Sequence, residues 1–281
     1  MKTTAWMALV TLAAVLPVVA ATAPTIAPLA AGPLTVYAAG SLTGALAEIA
    51  KQYTAATGEP VRIVNGPAGL LRERIEKGEA VDVYISANMA HPEKLAAEGK
   101  ATSPVVFARN ALCIQTLPDA GITSANLLDR LLAPGIRIGT STPGADPGGD
   151  YAWQFFAQAE TVRAGARANL EAKAKKLVGG PVAPTIPGNV AAAKYFLQHH
   201  DVDVFFGYCS SHDATPDPDL RKVEVPANLS VPVDYGMSVV LRGDDPARRA
   251  ASFRFALYAM SPAAQERLPA YGFRAVAAPE H

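Results

Sequence analysis

A short apolar strand pattern passes directly into a helical pattern near the start of this chain, and this junction limits the folds open to it. The strand pattern covers Leu34–Ala38, and Ser41 precedes a helical stretch over Leu42–Thr57. Ser41 is a suitable N-cap, and Gly44 cannot complete a capping box. The first amides of the helix therefore point outward at the positive end of its dipole, which favours an anion.

The rest of the chain alternates strands and helices in two units. In the first unit we predict strands Leu34–Ala38, Val61–Val64 and Val81–Ser86 and helices Leu42–Thr57, Leu70–Lys77 and Pro92–Glu98. In the second we predict strands Ile136–Gly139 and Val202–Gly207 and helices Tyr151–Ala159, Arg163–Lys176 and Asn189–His199. Two long strands, Ala111–Gln115 and Val231–Arg242, join the units, and helices close the chain. This order predicts an α/β protein of two lobes, each a mostly parallel sheet flanked by helices, with a cleft between them.

The N-terminus predicts export. Lys2 precedes an apolar stretch, Ala5–Ala20, and Ala21-Thr22-Ala23 is typical of a cleavage site. We expect a signal peptide at 1–23, a linker at 24–33, a first lobe at 34–108 that returns at 234–281, and a second lobe at 109–233. No later run of apolar residues is long enough to span a membrane, so a soluble periplasmic protein is expected.

The charge balance excludes several classes of partner. Lysine and arginine together number 25, as do aspartate and glutamate, so no global field attracts nucleic acid or an acidic membrane. An anionic ligand would have to be held by local geometry. We therefore expect a small-molecule ligand, a monomer and no cofactor.

Ligands of open α/β sheets lie where strands end and helices begin. Five such loops are candidates: 39–43, 66–70, 140–151, 187–191 and 206–211. Small residues in two of them, Pro67-Ala68-Gly69 and Gly148-Gly149, would let backbone amides approach a ligand, although ordinary turns before helices explain them equally well. Asp146 is either a helix cap, an acceptor for a protonated ligand or a direct ligand to a metal centre.

Three further groups of reactive side chains suggest a disulfide, a zinc site or a hydrolase site. Cys113 and Cys209 are as compatible with a disulfide as with two buried thiols. His199-His200 lacks the spaced partners of a zinc site, so a solvated helix end is favoured. Cys209 or Ser210 with His212 would suit a hydrolase, but these residues lack the strand–G-x-S-x-G–helix context of a nucleophile elbow.

Several segments together resemble the periplasmic molybdate-binding receptors of ABC transporters. They are residues 36–43, 75–78, 82–87, 189–190, Gly207, 262–265 and 271–273, in the order in which that family has them. The resemblance implies the two-lobed type II periplasmic-binding-protein fold and no enzymatic activity. It also implies an inner-membrane permease with its ATPase as partner, and molybdate or tungstate as ligand. Sulfate, a phosphonate or a carboxylate is the alternative ligand.

The resemblance also implies individual ligand residues. Ser41 matches the family's first serine ligand, Val190 a backbone-amide ligand, and Gly148 or Gly149 a second one. The family's second serine falls on Pro67-Ala68-Gly69, so that hydroxyl is missing. The family's tyrosine falls on Phe206, with Tyr208 as a possible substitute. The loop from Asp146 is similar to that of archaeal tungstate receptors, whose aspartate binds the metal, but their partner glutamate would fall near Gly207.

Overall fold

The computed structural model describes residues 32–181, 183–187, 190–210 and 214–276. The predicted signal peptide, the linker up to residue 31, Asn189 and His212 lie outside these ranges. Within them the strands are β1 Leu34–Ala39, β2 Val61–Gly66, β3 Val83–Ser86, β4 Val105–Asn110, β5 Leu112–Thr116, β6 Ile138–Ser141, β7 Ala174–Val178, β8 Val204–Tyr208, β9 Arg221–Glu224, β10 Val233–Val239 and β11 Arg274–Ala275. The α-helices are α1 Thr43–Thr57, α2 Ala68–Glu76, α3 Ala90–Ala97, α4 Leu127–Leu132, α5 Pro147–Val162, α6 Ala166–Lys173, α7 Ala192–Gln198, α8 Pro246–Ala259 and α9 Pro262–Gln265.

The first sheet has the strand order β11-β4-β10-β3-β1-β2. β1 pairs in parallel with β2 and β3, and all six of its residues are buried. Its nearly unbroken apolar run is typical of a strand that is covered on both faces. β10 enters antiparallel between β3 and β4, so the sheet is mixed.

The second sheet has the order β7-β6-β8-β5-β9. β6 pairs in parallel with β7 and β8, whereas β5 pairs antiparallel with β8 and β9. The predicted helix over Arg163–Lys176 is wrong at its end, because α6 stops at Lys173 and Ala174–Val178 is strand β7. Alanine and lysine favour a helix locally, but pairing with β6 satisfies this backbone in the extended form.

The chain passes between the sheets at two crossings. One leads from β4 to β5 through Ala111, and the other spans residues 225–232 between β9 and β10. Two sheets flanked by helices confirm the predicted α/β architecture. The predicted lobe limits at 108/109 and 233/234 fall inside β4 and β10, which pair wholly in the first sheet; we propose that the limits lie at the two crossings. None of the described helices is long and apolar enough to cross a membrane.

A buried carboxylate joins three parts of the first lobe. Asp82, 1% exposed, accepts hydrogen bonds from the Thr35 amide at 2.7 Å, from Arg248 Nε at 2.8 Å and from Arg242 Nε at 3.2 Å. These donors belong to β1, to α8 and to the loop after β10. A buried charge is tolerated when partners of this kind satisfy it.

Removing the Asp82 carboxylate should therefore be costly. We expect Asp82→Ala to lower the free energy of unfolding by about 3–5 kcal/mol, because two guanidinium groups lose their buried partner. Urea denaturation measures the change. The control is Asp129→Ala, which removes an exposed ion pair with Arg163 and should cost at most about 1 kcal/mol. Equal losses in the two variants would contradict the buried anchor.

Candidate functional site

A cavity of about 910 Å³ lies between the two sheets, where strands end and helices begin. Each of the five predicted loops contributes to its wall: residues 39–41, 66–67, 141 with 146 and 148, 190–191, and 206–210. β1 and β2 run in parallel in one sheet, and β6 and β8 in the other. Their carboxyl ends therefore meet at one edge of each sheet, and the cleft lies between these edges.

The predicted site residues divide into two groups. Those that line the cavity are Ser41, Asp146, Gly148, Val190, Phe206 and Tyr208. Ala68, Gly69 and Gly149 are not part of its wall. The roles of all nine in binding stay predictions, and the surroundings of the three outside the wall explain why their residue types are small.

Gly69 lies at a contact between the lobes. A Cβ atom at this position would come within 2.2 Å of the Gly144 carbonyl oxygen and 2.7 Å of that of Ala145. Only a glycine lets the start of α2 approach the second lobe so closely. The adjacent Ala68 is fully buried, and its carbonyl accepts a hydrogen bond from the Tyr84 hydroxyl at 2.6 Å. Gly69 is therefore small because of the lobe contact, whereas Ala68 packs inside the first lobe.

The start of α5 is already capped by its own residues. The Asp146 carboxylate accepts from the Gly148 amide at 3.2 Å, and the Asp146 carbonyl accepts from the Gly149 amide at 2.9 Å. A Cβ atom at Gly149 would lie 2.5 Å from the backbone of Thr142 and Pro143. This helix end therefore offers a ligand fewer free amides than its sequence predicts.

Asp146 also places a titratable group in the cleft. Burial raises the pKa of its carboxyl group, whereas the Gly148 amide and the Ser141 hydroxyl counteract the shift by hydrogen bonding to the carboxylate, and nearby Asp150 adds to it. The carboxylate is therefore easier to protonate than a solvated aspartate. A negative ligand beside it would shift the pKa further in the same direction.

Ser41 belongs to a chain of hydrogen bonds that joins the two lobes. Its Oγ lies 2.8 Å from the Tyr235 hydroxyl, which accepts from Asn110 Nδ2 at 3.2 Å. The same Nδ2 donates to Ser210 Oγ at 2.9 Å. Tyr235 is fully buried, and burial raises the pKa of its hydroxyl, so it stays protonated. The chain connects Ser41 on the first lobe with Ser210 on the second.

The Tyr208 hydroxyl is buried and has no hydrogen-bond partner among the described residues. Burial raises the pKa of Tyr208 well above the usual value. Its ring packs edge-on against Tyr235 at 5.9 Å and Tyr151 at 6.3 Å. A buried polar group without a hydrogen-bond partner is rare, and this one belongs to a residue of the cavity wall.

A disulfide fixes the end of β8 beside this hydroxyl. Cys113 and Cys209 are bonded, with Cα atoms 5.0 Å apart, so the disulfide alternative is correct. Lys222 donates to the Cys209 carbonyl at 2.9 Å and also to that of Ser210. Cys209 is therefore not a free thiol, and that form of the hydrolase hypothesis is wrong. The described residues contain no cluster of three or more potential metal-binding side chains.

The lobes touch each other beside the cavity. The Tyr151 hydroxyl on α5 donates to the Ala87 carbonyl after β3 at 3.0 Å. Asn88 Nδ2 donates to the Asp150 carboxylate at 3.3 Å. Together with the contact at Gly69, these bonds hold the cleft walls close to one another.

Sequence reasoning did not identify the residues behind the cavity wall. Asn110 and Tyr235 lie far apart in the sequence, on strands that pair only in the folded sheet. The one local signal for Asn110 is its position, because it is a polar residue between two apolar strand patterns. Nothing in the residues around Tyr235 marks its partner 125 positions away.

Comparisons with known proteins agree with this architecture. The model of the family described as bacterial extracellular solute-binding protein matches residues 34–274. An uncharacterised protein of Pasteurella multocida is 39% identical over 181 residues, which cover 63% of this chain and 75% of that protein. The molybdate-binding protein ModA of Haemophilus influenzae is 27% identical over 88% of this chain and 91% of its own length.

Solved structures share the fold at low sequence identity. The Azotobacter vinelandii periplasmic molybdate-binding protein is similar with a TM-score of 0.68 and 21% identity, covering 85% of this chain and 98% of that one. The sulfate-binding protein SubI of Mycobacterium tuberculosis has a TM-score of 0.69 and 16% identity, with 87% of each chain covered. The fructose-6-phosphate-bound AfuA of Actinobacillus pleuropneumoniae has a TM-score of 0.69 and 14% identity, covering 90% of this chain and 88% of that one. These neighbours confirm the two-lobed periplasmic-binding-protein fold.

The two cleft tyrosines should respond in opposite ways to loss of the hydroxyl. In ligand-free protein we expect Tyr208→Phe to raise the free energy of unfolding by about 1 kcal/mol, since it removes an unsatisfied buried group. Tyr235→Phe should lower it by about 1–2 kcal/mol, since Asn110 loses an acceptor. Urea denaturation compares the two. Similar losses in both variants would show that the Tyr208 hydroxyl already has a partner.

Proposed function

This chain belongs to the bacterial extracellular solute-binding proteins, receptors of the ABC-transporter type, and we propose that its ligand is a small tetrahedral oxyanion, molybdate or tungstate first. The observation that carries this proposal is the set of hydroxyl groups at the cleft. Ser41, Tyr208 and Ser210 come from both lobes and line one cavity. Neutral donors held in a buried site suit an anion that offers only acceptors.

Two lysines line the cavity, and both are bonded to other groups of the protein. Lys222 lies on the wall with its ammonium group directed to two backbone carbonyls. Lys194 is paired with the carboxylates of Asp217 and Asp219. No arginine lines the cavity in the part of the chain that the structure describes. Binding would therefore depend on hydrogen bonds of fixed geometry more than on net charge.

The expected working cycle follows from the family and from the two lobes. The protein would be exported through a cleavable signal peptide and would act as a monomer in the periplasm. Hinge motion at the two crossings would close the lobes around the anion. The closed receptor would then deliver it to an inner-membrane permease with its ATPase. No step of this cycle changes the ligand chemically.

A second candidate is a different anion in the same cleft. Asp146 brings a carboxylate to the wall, and a carboxylate would suit a ligand that carries a proton, such as a phosphonate. The cavity, at about 910 Å³, also leaves room for a larger ligand than a bare oxyanion. Relatives with this fold include a sulfate-binding protein and one with bound fructose 6-phosphate.

Calorimetry with purified protein tests the leading proposal. We expect molybdate and tungstate to bind, and Ser41→Ala to weaken binding about 10- to 100-fold, because a hydrogen bond to a charged ligand contributes about 1.5–3 kcal/mol. Ser252→Ala is the matched control, since that hydroxyl bonds to the Arg248 carbonyl on α8, at 2.9 Å. Absence of heat with either anion would refute the proposed ligand, and unchanged affinity in Ser41→Ala would refute the assigned cleft.

Asp146 separates the two candidates through its charge. Its raised pKa means that the carboxyl group gains a proton as the pH falls, which removes a negative charge from the wall. We therefore expect sulfate, which stays a dianion, to bind more tightly as the pH is lowered from neutral into the acidic range in which the carboxyl group gains its proton. In Asp146→Asn this pH dependence should disappear and affinity at neutral pH should rise.

The opposite result would identify Asp146 as a ligand in its own right. If Asp146→Asn loses molybdate binding, the carboxylate coordinates the metal centre directly. If it loses only phosphonate binding, the carboxylate accepts a proton from the ligand. Calorimetric titrations with the three anions distinguish these cases.

A further inference from the structure

Ser210 lies on the cavity wall, although the sequence predicts no role for it in ligand binding. It follows β8, is 6% exposed and lines the cavity. Its amide and its Oγ both bond to Asn110. Among the described cavity residues of the first lobe, Ser41 alone carries a hydroxyl, so the second hydroxyl that the sequence lacks at Pro67-Ala68-Gly69 has no replacement on that lobe.

The orientation of the Asn110 amide follows from its partners. Its Oδ1 receives the backbone N–H groups of Ala111 at 2.8 Å and Ser210 at 3.3 Å. Backbone N–H groups can only donate, so the oxygen must lie on this side. The Nδ2 group consequently faces Ser210 Oγ and the Tyr235 hydroxyl.

This orientation decides the direction of each hydrogen bond in the chain. Nδ2 can only donate, so the oxygens of Ser210 and Tyr235 both act as acceptors. The Tyr235 proton then goes to Ser41 Oγ, at 2.8 Å, which is the other hydrogen-bond partner of Tyr235 among the described residues. Each serine oxygen thus accepts a bond from inside the protein, and each serine keeps its own proton for the cavity.

We propose that Ser210 is a second hydroxyl donor to the bound oxyanion and that Asn110 orients both Ser210 and Ser41 as donors. The inference rests on the proposed oxyanion-binding function. Ser41 and Ser210 lie on different lobes, so a ligand bound to both bridges the cleft. Asn110 acts as a positioning residue, since it reaches the ligand only through the two hydroxyls.

The fixed direction of the two hydroxyls favours one class of anion. Two hydroxyls fixed as donors match an oxyanion whose oxygens all accept, such as sulfate or molybdate. A hydrogen-phosphate oxygen that carries a proton would leave one bond unmade if it lay against either hydroxyl, so it would have to turn to the Asp146 carboxylate on the same wall. The choice between sulfate and hydrogen phosphate at the two hydroxyls should therefore depend on Asn110.

The test compares binding of molybdate, sulfate and phosphate to three variants by calorimetry. Ser210→Ala should weaken molybdate and sulfate binding about 10- to 100-fold, whereas Ser252→Ala should leave both unchanged. Wild-type protein that binds none of these anions would overturn the proposed function and this inference with it. Wild-type binding together with an affinity in Ser210→Ala that stays within about twofold would overturn the role of Ser210 alone.

Asn110→Asp tests the orientation. The introduced carboxylate still accepts from the two backbone amides, but it takes the protons of Ser210 and Tyr235 instead of donating to them. We expect the affinity ratio of sulfate to phosphate to fall at least about tenfold. A merely structural defect would weaken both anions equally and would overturn the role of Asn110. If this variant does not fold, Ser210→Ala decides the role of Ser210, and Tyr235→Phe, which cuts the link from Asn110 to Ser41, should lower the same affinity ratio if Asn110 orients Ser41.

Discussion

The Asn110 side chain is the connection on which both walls of the cleft depend. It lies where the chain leaves the first sheet for the second, and it bonds to the Ser210 amide and hydroxyl on one side and to Tyr235 on the other. Only an amide offers an acceptor and two donors in one planar group. An aspartate would lack the donors, and a leucine would leave several buried groups unsatisfied, which costs about 1–3 kcal/mol each.

The buried position of this connection strengthens it. Tyr235 and Ser210 are buried, and a hydrogen bond in a medium of low dielectric is electrostatically stronger than in water. The same medium makes the Tyr208 hydroxyl, which has no hydrogen bond among the described residues, costly to the fold. Polar groups of this kind are common at binding sites, as proposed for this cleft.

Local sequence patterns predicted the elements and the loops but not their connections. The strand before Ser41 and the helix after it follow from apolar periodicity, and the cavity indeed gathers the five loops. The strand Ala174–Val178 was missed because its lysines and alanine favour a helix until β6 supplies a partner. The sequence predicts that Gly69 lets a ligand approach, and this role stays a prediction; in the fold, the Gly144 carbonyl oxygen occupies the space that a side chain at Gly69 would need. Contacts across such sequence distances leave no periodic signal.

The resemblance to the molybdate-binding receptors implies a second serine near Gly69, and its absence here goes together with the close approach of the lobes at this position. Where a hydroxyl would have stood, the chain at Gly69 instead packs against the second lobe, so donors must come from elsewhere on the wall. The bonds between the lobes there, Tyr151 to Ala87 and Asn88 to Asp150, contribute only about 1 kcal/mol each as ordinary hydrogen bonds. The proposed ligand, bonded to Ser41 and Ser210 together, would contribute more than either of these two hydrogen bonds, and only when the lobes are close. Its differential affinity for the closed state would then set the equilibrium between open and closed lobes.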